Sequence, residues 1–273
     1  MKLDLHVHTT FSDGDFTPRE TIEAAKQKGL KIIAITDHDE CRGYGKVADE
    51  KGILVLPGIE LAARYEGEVH VLGLGIDWRS PELIAHIESA SSLREERASS
   101  MIEKLRAAGV GITLKDVREG CGGIIGRPHI AAALVKKGYA TDVREAFAVY
   151  LSKHTQFYVP YDKISIEQAA RLISGAGGKA VLAHPGLMKD DVRSALFPKL
   201  AGMGFWGVEA YHPAHTDGQC REFESLARRG GLYVTAGSDF HGSAKPGVGI
   251  GSETRGGDYL RRSVEALTGI LFN

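Results

Sequence analysis

The first strand-like stretch of the chain carries two histidines in a spacing suited to metal binding. From Leu3 to Val7 apolar residues alternate with polar ones, so in a β-strand His6 and His8 leave the same face. Neutral imidazole is the commonest protein metal ligand, and Asp13 follows in a Ser-Asp-Gly turn as an oxygen donor. Two strand histidines in ordinary hydrogen bonds would give the same pattern. The motif alone therefore does not establish a metal site.

Further residues of the metal-ligating types follow other short apolar runs along the chain. These runs are typical of parallel strands buried on both faces. The residues at their ends are Asp37, His38, Glu60, His70, His184, Glu209, Asp239 and His241. Because the carboxyl ends of parallel strands form one rim, we expect these side chains to share a pocket with His6 and His8. Mixed His, Asp and Glu ligands without thiolate suit Zn, Mn or Fe at an open, catalytic site.

Strand and helix signals alternate through most of the chain. Capping boxes at residues 17–20 and 165–168 predict helix starts, and a last amphipathic helix is predicted near Tyr259–Leu271. Strand-like runs lie at residues 3–8, 31–36, 53–57, 69–74, 180–183, 207–211 and 232–236. Repeated β–α units favour a parallel sheet, open or closed, and the count of seven strands favours a barrel.

Residues 89–160 interrupt this alternation. A helical pattern runs from Ser80-Pro81 to about Gly109, and Thr113, Arg127-Pro128 and Thr141 begin three shorter helical segments. Strand-like runs are nearly absent there. We therefore predict one barrel domain made of residues 1–88 and 161–273, with a helical insertion at 89–160 that covers the substrate.

Composition limits the classes of partner. Lys and Arg total 34 against 35 for Asp and Glu, so there is no overall positive charge to attract long DNA, and a small anionic partner is expected. Three widely spaced cysteines do not form a disulfide framework and fit a reducing compartment. No signal-like segment or apolar run of about 18 residues is present, which predicts a cytoplasmic protein without membrane association. No obligate protein partner is indicated.

Taken in order, the metal-type motifs resemble those of the PHP (polymerase and histidinol phosphatase) phosphoesterases over nearly the whole chain. The motifs are His6-x-His8, Asp13, Thr36-Asp37-His38, Gly58-x-Glu60, Ala183-His184-Pro185 and Gly237-Ser238-Asp239-Phe240-His241. The resemblance implies an α/β fold, a distorted (β/α)7 barrel, that holds two or three divalent cations. Mn(II) is the expected metal, with Zn or Fe as alternatives.

The resemblance also implies which residues hold each cation. The first would be held by His6, His8, Glu60 and Asp239, the second by Asp13, His38 and His241, and the third by His70 and His184 with Glu60 as a bridge. Several family members carry a histidine where this chain has Asp13. Asp37 has no ligand counterpart and is expected to support the ligands from behind.

The insertion resembles that of a subgroup acting on nucleoside 3′,5′-bisphosphates and the 5′ ends of short RNA. The similar segments are Ile125-Gly126-Arg127-Pro128-His129-Ile130 and Arg94-Glu95-Glu96-Arg97. Arg127 and His129 open a helix, where free N–H groups and a forked guanidinium favour phosphate. Arg94, Arg97, Arg127 and His129 are thus the predicted substrate-binding residues. A solvated helix face would also explain these arginines.

Together these features predict a metal-dependent phosphoesterase that uses a metal-bound hydroxide as nucleophile. Its expected substrates are nucleoside 3′,5′-bisphosphates and short 5′-phosphorylated RNA. The group that protonates the leaving oxygen stays open between metal-bound water, His215 and His129. The alternatives are histidinol-phosphate phosphatase or another phosphomonoesterase and, from a different class, a non-catalytic metal-stabilised domain that binds nucleotides.

Overall fold

One sheet of eight strands organises the protein, for which a computed structural model describes residues 2–119, 121–253 and 255–270. The strands are β1 (Leu3–Val7), β2 (Ile32–Ile35), β3 (Leu54–Arg64), β4 (Glu68–Leu74), β5 (Ile164–Ser165), β6 (Lys179–Leu182), β7 (Gly207–Tyr211) and β8 (Tyr233–Ala236). Seven of them follow the order β1-β2-β3-β4-β6-β7-β8, and the two-residue β5 pairs with the end of β3. The predicted α/β barrel with seven principal strands is confirmed.

Nine α-helices occur in the described residues. They are α1 (Pro18–Gln27), α2 (Pro81–Ala107), α3 (Leu114–Arg118), α4 (Arg127–Lys136), α5 (Val143–Ala146), α6 (Ile166–Gly175), α7 (Asp190–Leu196), α8 (Asp217–Arg229) and α9 (Asp258–Thr268). The two predicted capping boxes are present at Thr17 and Ser165. Helix α5 is capped by Asp142 rather than by Thr141, because the Asp142 carboxylate accepts the Glu145 N–H. The last helix ends at Thr268, because Gly269 adopts a left-handed φ of 69°, and so it is shorter than the predicted Tyr259–Leu271.

Strand β4 departs from the expected parallel sheet. It pairs antiparallel with both β3 and β6, whereas β1, β2 and β3 are mutually parallel, as are β6, β7 and β8. Only Tyr65, Glu66 and Gly67 connect β3 to β4, and a parallel crossover needs a dozen or more residues. The short connection therefore forces a hairpin. It also brings the beginning of β4, with His70, to the rim where the parallel strands end.

The barrel closes where β1 meets the end of β8. Val7 forms a parallel bridge with Phe240, and two backbone bonds of 2.9 Å flank it, from His8 N–H to the Phe240 carbonyl and from Asp239 N–H to the His6 carbonyl. A Cβ on Gly237 would lie 2.3 Å from the His6 Cβ. Glycine is thus required for this close approach of the two strands.

Hydrophobic packing separates the barrel from most of the helical segment between β4 and β5. The barrel strands and their surrounding helices share two clusters of buried apolar side chains, and a further cluster is built from residues 98–151. Helix α2 joins them, since Leu83 and Ile87 pack on the barrel while Met101 and Leu105 belong to the other cluster. The exact limits of the insertion, 89 and 160, stay a prediction. Among the described residues, no helix has the length and apolar character needed to span a bilayer.

Candidate metal centre

The nine residues predicted to bind metal meet at one rim of the barrel. Six strands or the segments directly after them supply these side chains, and three overlapping groups have ligand atoms close enough to share an ion. The groups are His8, Asp13, His38 and His241; His6, His8 and Glu60; and His38, Glu60 and His70. His184 and Asp239 adjoin them through Glu60 and His8, respectively.

Glu60 lies at the centre of the cluster, fully buried in the middle of β3. Each of its carboxylate oxygens faces a different set of imidazoles. The Oε2 distances are 3.3 Å to His6 Nε2, 3.2 Å to His8 Nε2 and 2.9 Å to His38 Nδ1, and the Oε1 distances are 2.9 Å to His70 Nδ1 and 3.0 Å to His184 Nε2. One carboxylate can therefore serve more than one cation.

Two aspartates complete the cluster. Asp13 Oδ1 lies 3.2 Å from His241 Nε2 and 3.7 Å from His8 Nδ1, and Asp13 Oδ2 lies 3.8 Å from His38 Nε2. Asp239 Oδ1 lies 3.3 Å from His8 Nε2 and 3.4 Å from His241 Nδ1. These contacts join residues from both ends of the chain.

Three buried atoms of this cluster face neighbouring ligand atoms at 2.9–3.2 Å but form no hydrogen bond with them. They are Asp13 Oδ1, His38 Nδ1 and Glu60 Oε2. An unsatisfied buried polar atom costs roughly 1–3 kcal/mol, so three together in one place call for a ligand. Bound divalent cations would satisfy these atoms, and the mixed nitrogen and oxygen donors without thiolate suit such ions. The residues present thus fit a divalent metal centre.

The charges of the cluster keep its carboxylates ionised. Burial acts to raise the pKa of Glu60, but His38, His70 and His6 hold it well below its usual value. Burial acts likewise on Asp13, whose pKa is held low by His38 and His241. Both carboxylates are therefore deprotonated and able to bind a cation at neutral pH.

Buried residues behind the cluster orient its side chains. Glu209 Oε1 lies 3.0 Å from His6 Nδ1, and Oε2 accepts the His184 backbone N–H at 2.7 Å. The carboxylate thereby turns the His6 Nε2 lone pair toward the centre. Asp37 instead accepts the Thr9 N–H and the Ser12 hydroxyl, each at 2.7 Å, and so fixes the turn that precedes Asp13.

Two contacts of Asp239 were not predicted from sequence. His212 Nε2 lies 3.4 Å from Asp239 Oδ2, and Lys245 Nζ contacts the same oxygen. Ala214 N–H donates to His212 Nδ1, so the ring proton is on Nε2 and points at the carboxylate. His212 follows β7 directly, which is a weak signal in the sequence. Lys245 lies in a glycine-containing loop and carries no recognisable signal.

Strained backbone conformations occur at the same place. His184 and Asp239 have positive φ angles of 27° and 56°, and Asp39, next to His38, has a φ of 47°. Such conformations cost about 1–3 kcal/mol in residues other than glycine and concentrate at functional sites. Their occurrence in two residues of the cluster supports a functional rather than a structural role.

A cavity of about 130 Å³ opens beside the cluster and contains all four predicted substrate-binding residues. Arg97 donates from Nε to the Val159 carbonyl at 2.7 Å, but its buried Nη2 has no partner. The described residues provide neither Arg97 nor Arg127 with a carboxylate partner. Their guanidinium groups lie over the ring of Tyr158, at 5.1 and 5.7 Å from its centroid. The ring thus holds both arginines in place. Because neither is paired with a carboxylate of the described residues, their positive charges are available to an anion.

Arg94 and His129 line this cavity but also have partners within the protein. Arg94 donates from Nε to Asp39 Oδ2 at 2.9 Å, and its Nη2 contacts the same oxygen. His129 Nδ1 accepts the Gly126 N–H at 2.9 Å, which fixes the start of α4. Because its guanidinium group is already paired with Asp39, Arg94 is less available to an anionic ligand than Arg97 or Arg127.

His215 lies behind the cluster rather than in the cavity. Its Nε2 accepts the Gly186 N–H at 3.1 Å, and its Nδ1 donates to the Ala210 carbonyl at 3.1 Å. Burial lowers its pKa to about 4. Because both ring nitrogens have backbone partners, the neutral ring has no proton to give to a leaving group. The geometry argues against His215 as the acid that the sequence suggested.

A hydrolase of phosphoric esters that depends on divalent metal is the class of enzyme that this fold and site define. Comparisons with known proteins identify the family. The PHP domain profile matches residues 4–154, more than half of the chain. The chain therefore belongs to the PHP family, as its motifs predicted.

Relatives of known name cover nearly the full chain. The 3′,5′-nucleoside bisphosphate phosphatase of Chromobacterium violaceum is 36% identical over 259 residues, which is 91% of this chain and 90% of the relative. The 5′-3′ exoribonuclease Rnm of Escherichia coli is 34% identical and covers 87% of this chain and 84% of its own length. A crystal structure of a metal-dependent phosphoesterase from Bifidobacterium adolescentis matches with a TM-score of 0.87 and 32% identity, over 99% of this chain and 96% of that one.

Proposed function

We propose that the cluster holds two or three Mn(II) ions, with Zn or Fe as the alternative metals. His6, His8, Glu60 and Asp239 would hold the first ion, Asp13, His38 and His241 the second, and His70 and His184 the third, with Glu60 as a bridge. The three buried atoms without hydrogen-bond partners support this assignment. When bound, the ions neutralise phosphoryl oxygens and lower the pKa of water so that it can attack phosphorus at neutral pH.

The arginine cavity is proposed to hold a second phosphate of the same substrate. Arg97 and Arg127 converge there, and the unsatisfied Nη2 of Arg97 is the observation that carries the proposal. A guanidinium fork pairs well with phosphate, and the ring of Tyr158 lies against both guanidinium groups and holds them in position. Since the Arg94 guanidinium is paired with Asp39, we assign Arg94 to holding α2 in place rather than to direct phosphate binding.

The substrate that fits both sites is a nucleoside 3′,5′-bisphosphate, or a short RNA with a 5′-phosphate. The 5′-phosphate would bind Arg97 and Arg127 while the 3′-phosphorus lies at the metal cluster. Water adds to this phosphorus, the bond from phosphorus to O3′ breaks, and a proton goes to O3′. The products are a nucleoside 5′-monophosphate and either phosphate or the shortened RNA. The two relatives whose names specify bisphosphate and RNA substrates support this proposal.

Phosphate release and product analysis with Mn(II) test the proposal. Substrates are a nucleoside 3′,5′-bisphosphate, a nucleoside 3′-monophosphate, histidinol phosphate and a 5′-phosphorylated tetraribonucleotide. We expect kcat/KM for the bisphosphate to exceed that for the 3′-monophosphate by at least about 100-fold, since the second phosphate adds two charge-assisted contacts. Arg127→Ala should remove most of this preference, and His8→Ala should abolish turnover.

The outcomes separate the alternatives. An Arg127→Ala enzyme that keeps the full preference for the bisphosphate would refute the arginine cavity as the second phosphate site. A preference for histidinol phosphate would instead favour a histidinol-phosphate phosphatase. Tight nucleotide binding without turnover under any metal would favour the non-catalytic domain.

A further inference from the structure

A groove of about 720 Å³ continues outward from the arginine cavity. The two spaces share Glu68, Arg127, Phe147 and Tyr161. A third depression of about 340 Å³ shares Gly67, Glu68 and Lys153 with the groove. We call the groove and this depression together the outer groove. The cavity of about 130 Å³ at the cluster suits phosphate and sugar, whereas the outer groove is in the size range of sites for larger ligands.

The outer groove carries more positive than negative charge, although the chain as a whole has a net charge of −1. Its cations outnumber its carboxylates five to three; they are Arg64, Arg127, Lys153, Lys163 and Lys189. One of the three carboxylates, Glu68, is already paired with Lys163 at 3.3 Å and His70 at 3.4 Å. Lys153 is exposed and borders both parts of the groove. This distribution suits a polyanion.

Ring and apolar surfaces alternate with these cations. Tyr158 and Tyr161 line the part near the arginines, and Tyr65 lines the far part. Leu187, three residues after His184, lies on the far part and is 60% exposed, so its apolar surface is accessible to a ligand. Cations interleaved with flat, apolar surfaces are the combination that binds single-stranded nucleic acid, since phosphates contact the cations and bases stack.

The proposed reaction predicts where additional nucleotides must lie. In an oligonucleotide the second nucleotide is attached through its 5′-oxygen to the phosphorus that is hydrolysed, so it leaves the cluster as a continuation of the scissile phosphate. The outer groove reaches the cluster at Glu68, which contacts His70, and at the segment after His184. We propose that the outer groove binds the nucleotides that follow the scissile phosphate in single-stranded RNA, an inference that rests on the proposed function.

Chain-length dependence tests this proposal. For wild type we expect kcat/KM to rise at least about fivefold from a 5′-phosphorylated dinucleotide to a tetranucleotide, since the longer substrate has additional bases that can stack in the groove. Lys153→Met and Leu187→Ala should each reduce the value for the tetranucleotide several-fold more than the value for the 3′,5′-bisphosphate. For the tetranucleotide, log(kcat/KM) should fall with log[salt], and Lys153→Met should make this fall less steep, reducing the magnitude of the slope by about 0.7. Lys179 lies at the opposite end of the barrel strands and provides the matched control. Lys179→Met should change neither the kcat/KM values nor their salt dependence.

Binding without turnover separates this inference from the proposed function. Fluorescence anisotropy of a tetraribonucleotide with a 5′-phosphate and a 3′ label is measured with His8→Ala and with His8→Ala/Lys153→Met. Weaker binding by the double variant would support the groove even if no substrate is hydrolysed. Equal binding by the two proteins, or equal loss of kcat/KM for bisphosphate and tetranucleotide, would overturn it.

Discussion

Single buried side chains decide how the metal centre is built. Glu60 has no exposure to solvent and faces five imidazoles, so its position depends on the strand that carries it rather than on side-chain flexibility. Residues behind the cluster are nearly as important, because an imidazole binds metal only through the nitrogen that carries no proton. Glu209 sets that choice for His6.

Glu209→Gln tests this orienting role. The amide can accept only one of the two hydrogen bonds that the carboxylate now accepts, and its NH₂ group faces a donor in place of the other. We expect the affinity for Mn(II) to fall by about 10- to 100-fold, measured by titration of the metal-free protein. Glu222→Gln, an exposed position on α8, is the control. Unchanged metal affinity in Glu209→Gln would show that His6 is oriented without it.

Because His215 is buried, we predict that the free energy of unfolding depends on pH. The pKa of His215 is lowered by burial from 6.5 to about 4, so between these values the unfolded chain binds a proton that the folded protein does not. Its contribution is therefore complete above pH 6.5 and is lost as the pH falls toward 4. The shift corresponds to roughly 3 kcal/mol. Urea unfolding at pH 7.5 and 5.0 should show a smaller pH-dependent loss in His215→Gln than in wild type.

The exposed His154 provides the comparison for this experiment. His154→Gln should retain the wild-type loss of stability between pH 7.5 and 5.0. If His215→Gln shows the same loss, then protonation of His215 does not contribute to acid destabilisation. If His215→Gln is less stable than wild type by the same amount at pH 7.5 and at pH 5.0, that difference reflects packing and not titration.

At the scale of elements, two connections bring the site together. The three-residue link after β3 reverses β4, and helix α2 reaches from the barrel to the cluster of residues 98–151. Arg94 joins the middle of α2 to Asp39, which directly follows His38 and also accepts the Ala62 N–H at 2.9 Å. The ion pair thus ties α2 to two strands of the barrel beside the metal cluster.

Asp39→Asn tests the contribution of this ion pair to stability. The Asp39 side chain is 3% exposed and that of Arg94 11%, so removing one charge leaves the other buried without its partner. We expect a loss of about 3 kcal/mol in the free energy of unfolding, measured in urea. Asparagine tolerates the left-handed backbone at this position, so strain does not confound the result. Glu95→Gln, which breaks the exposed pair with Arg118, should change stability far less.

A double-mutant cycle completes this experiment. Arg94→Met alone should destabilise the protein as well, and Asp39→Asn/Arg94→Met should be more stable than the sum of the single effects predicts, by about 1–3 kcal/mol. Additive effects would mean that the two residues act independently, and that α2 is held by its apolar face alone.

For the whole molecule, metal bound at the proposed site would be coupled to the closure of the barrel. The proposed ligands come from β1, β3, β4 and the ends of β2, β6 and β8, so bound ions would cross-link nearly the whole rim. In the described residues, one bridge and the backbone bonds beside it join β1 to the end of β8, and the buried Asp4 carboxylate adds hydrogen bonds from the Ser238 N–H and hydroxyl. Ions that bind only the folded barrel therefore stabilise the molecule as a unit.

Removal of metal should lower the melting temperature. With Mn(II) at about 100 times its Kd, binding contributes about 2.7 kcal/mol, which corresponds to a shift of roughly 5 °C or more. Calorimetry with and without a chelator measures the shift, and hydrogen exchange should increase first in β1 and β8. His8→Ala should lose most of the dependence on Mn(II). Equal melting temperatures with and without metal would contradict a cross-linking role for the ions.

Much of the site could be predicted because its signals are local. The alternation around His6 and His8 places both rings on one strand face, and the capping boxes at Thr17 and Ser165 fix helix starts through neighbouring residues. The residue types at the strand-like runs named the candidate ligands. The rule for the carboxyl ends of parallel strands predicted a shared rim, but His70 reaches this rim because β4 is antiparallel. The order of the motifs also predicted the family, which the comparisons confirmed.

The tertiary structure decided which groups face one another. The sequence determined which residues could bind metal, which strand carries each of them and that the fold is a barrel, because these features depend on residue type and periodicity. Only the fold paired Arg94 with Asp39, left Arg97 Nη2 without a partner, gave both nitrogens of His215 to the backbone and placed Lys245 on Asp239. Such pairings depend on distances between residues far apart in the chain, or on loops without periodicity, and no local pattern encodes those distances.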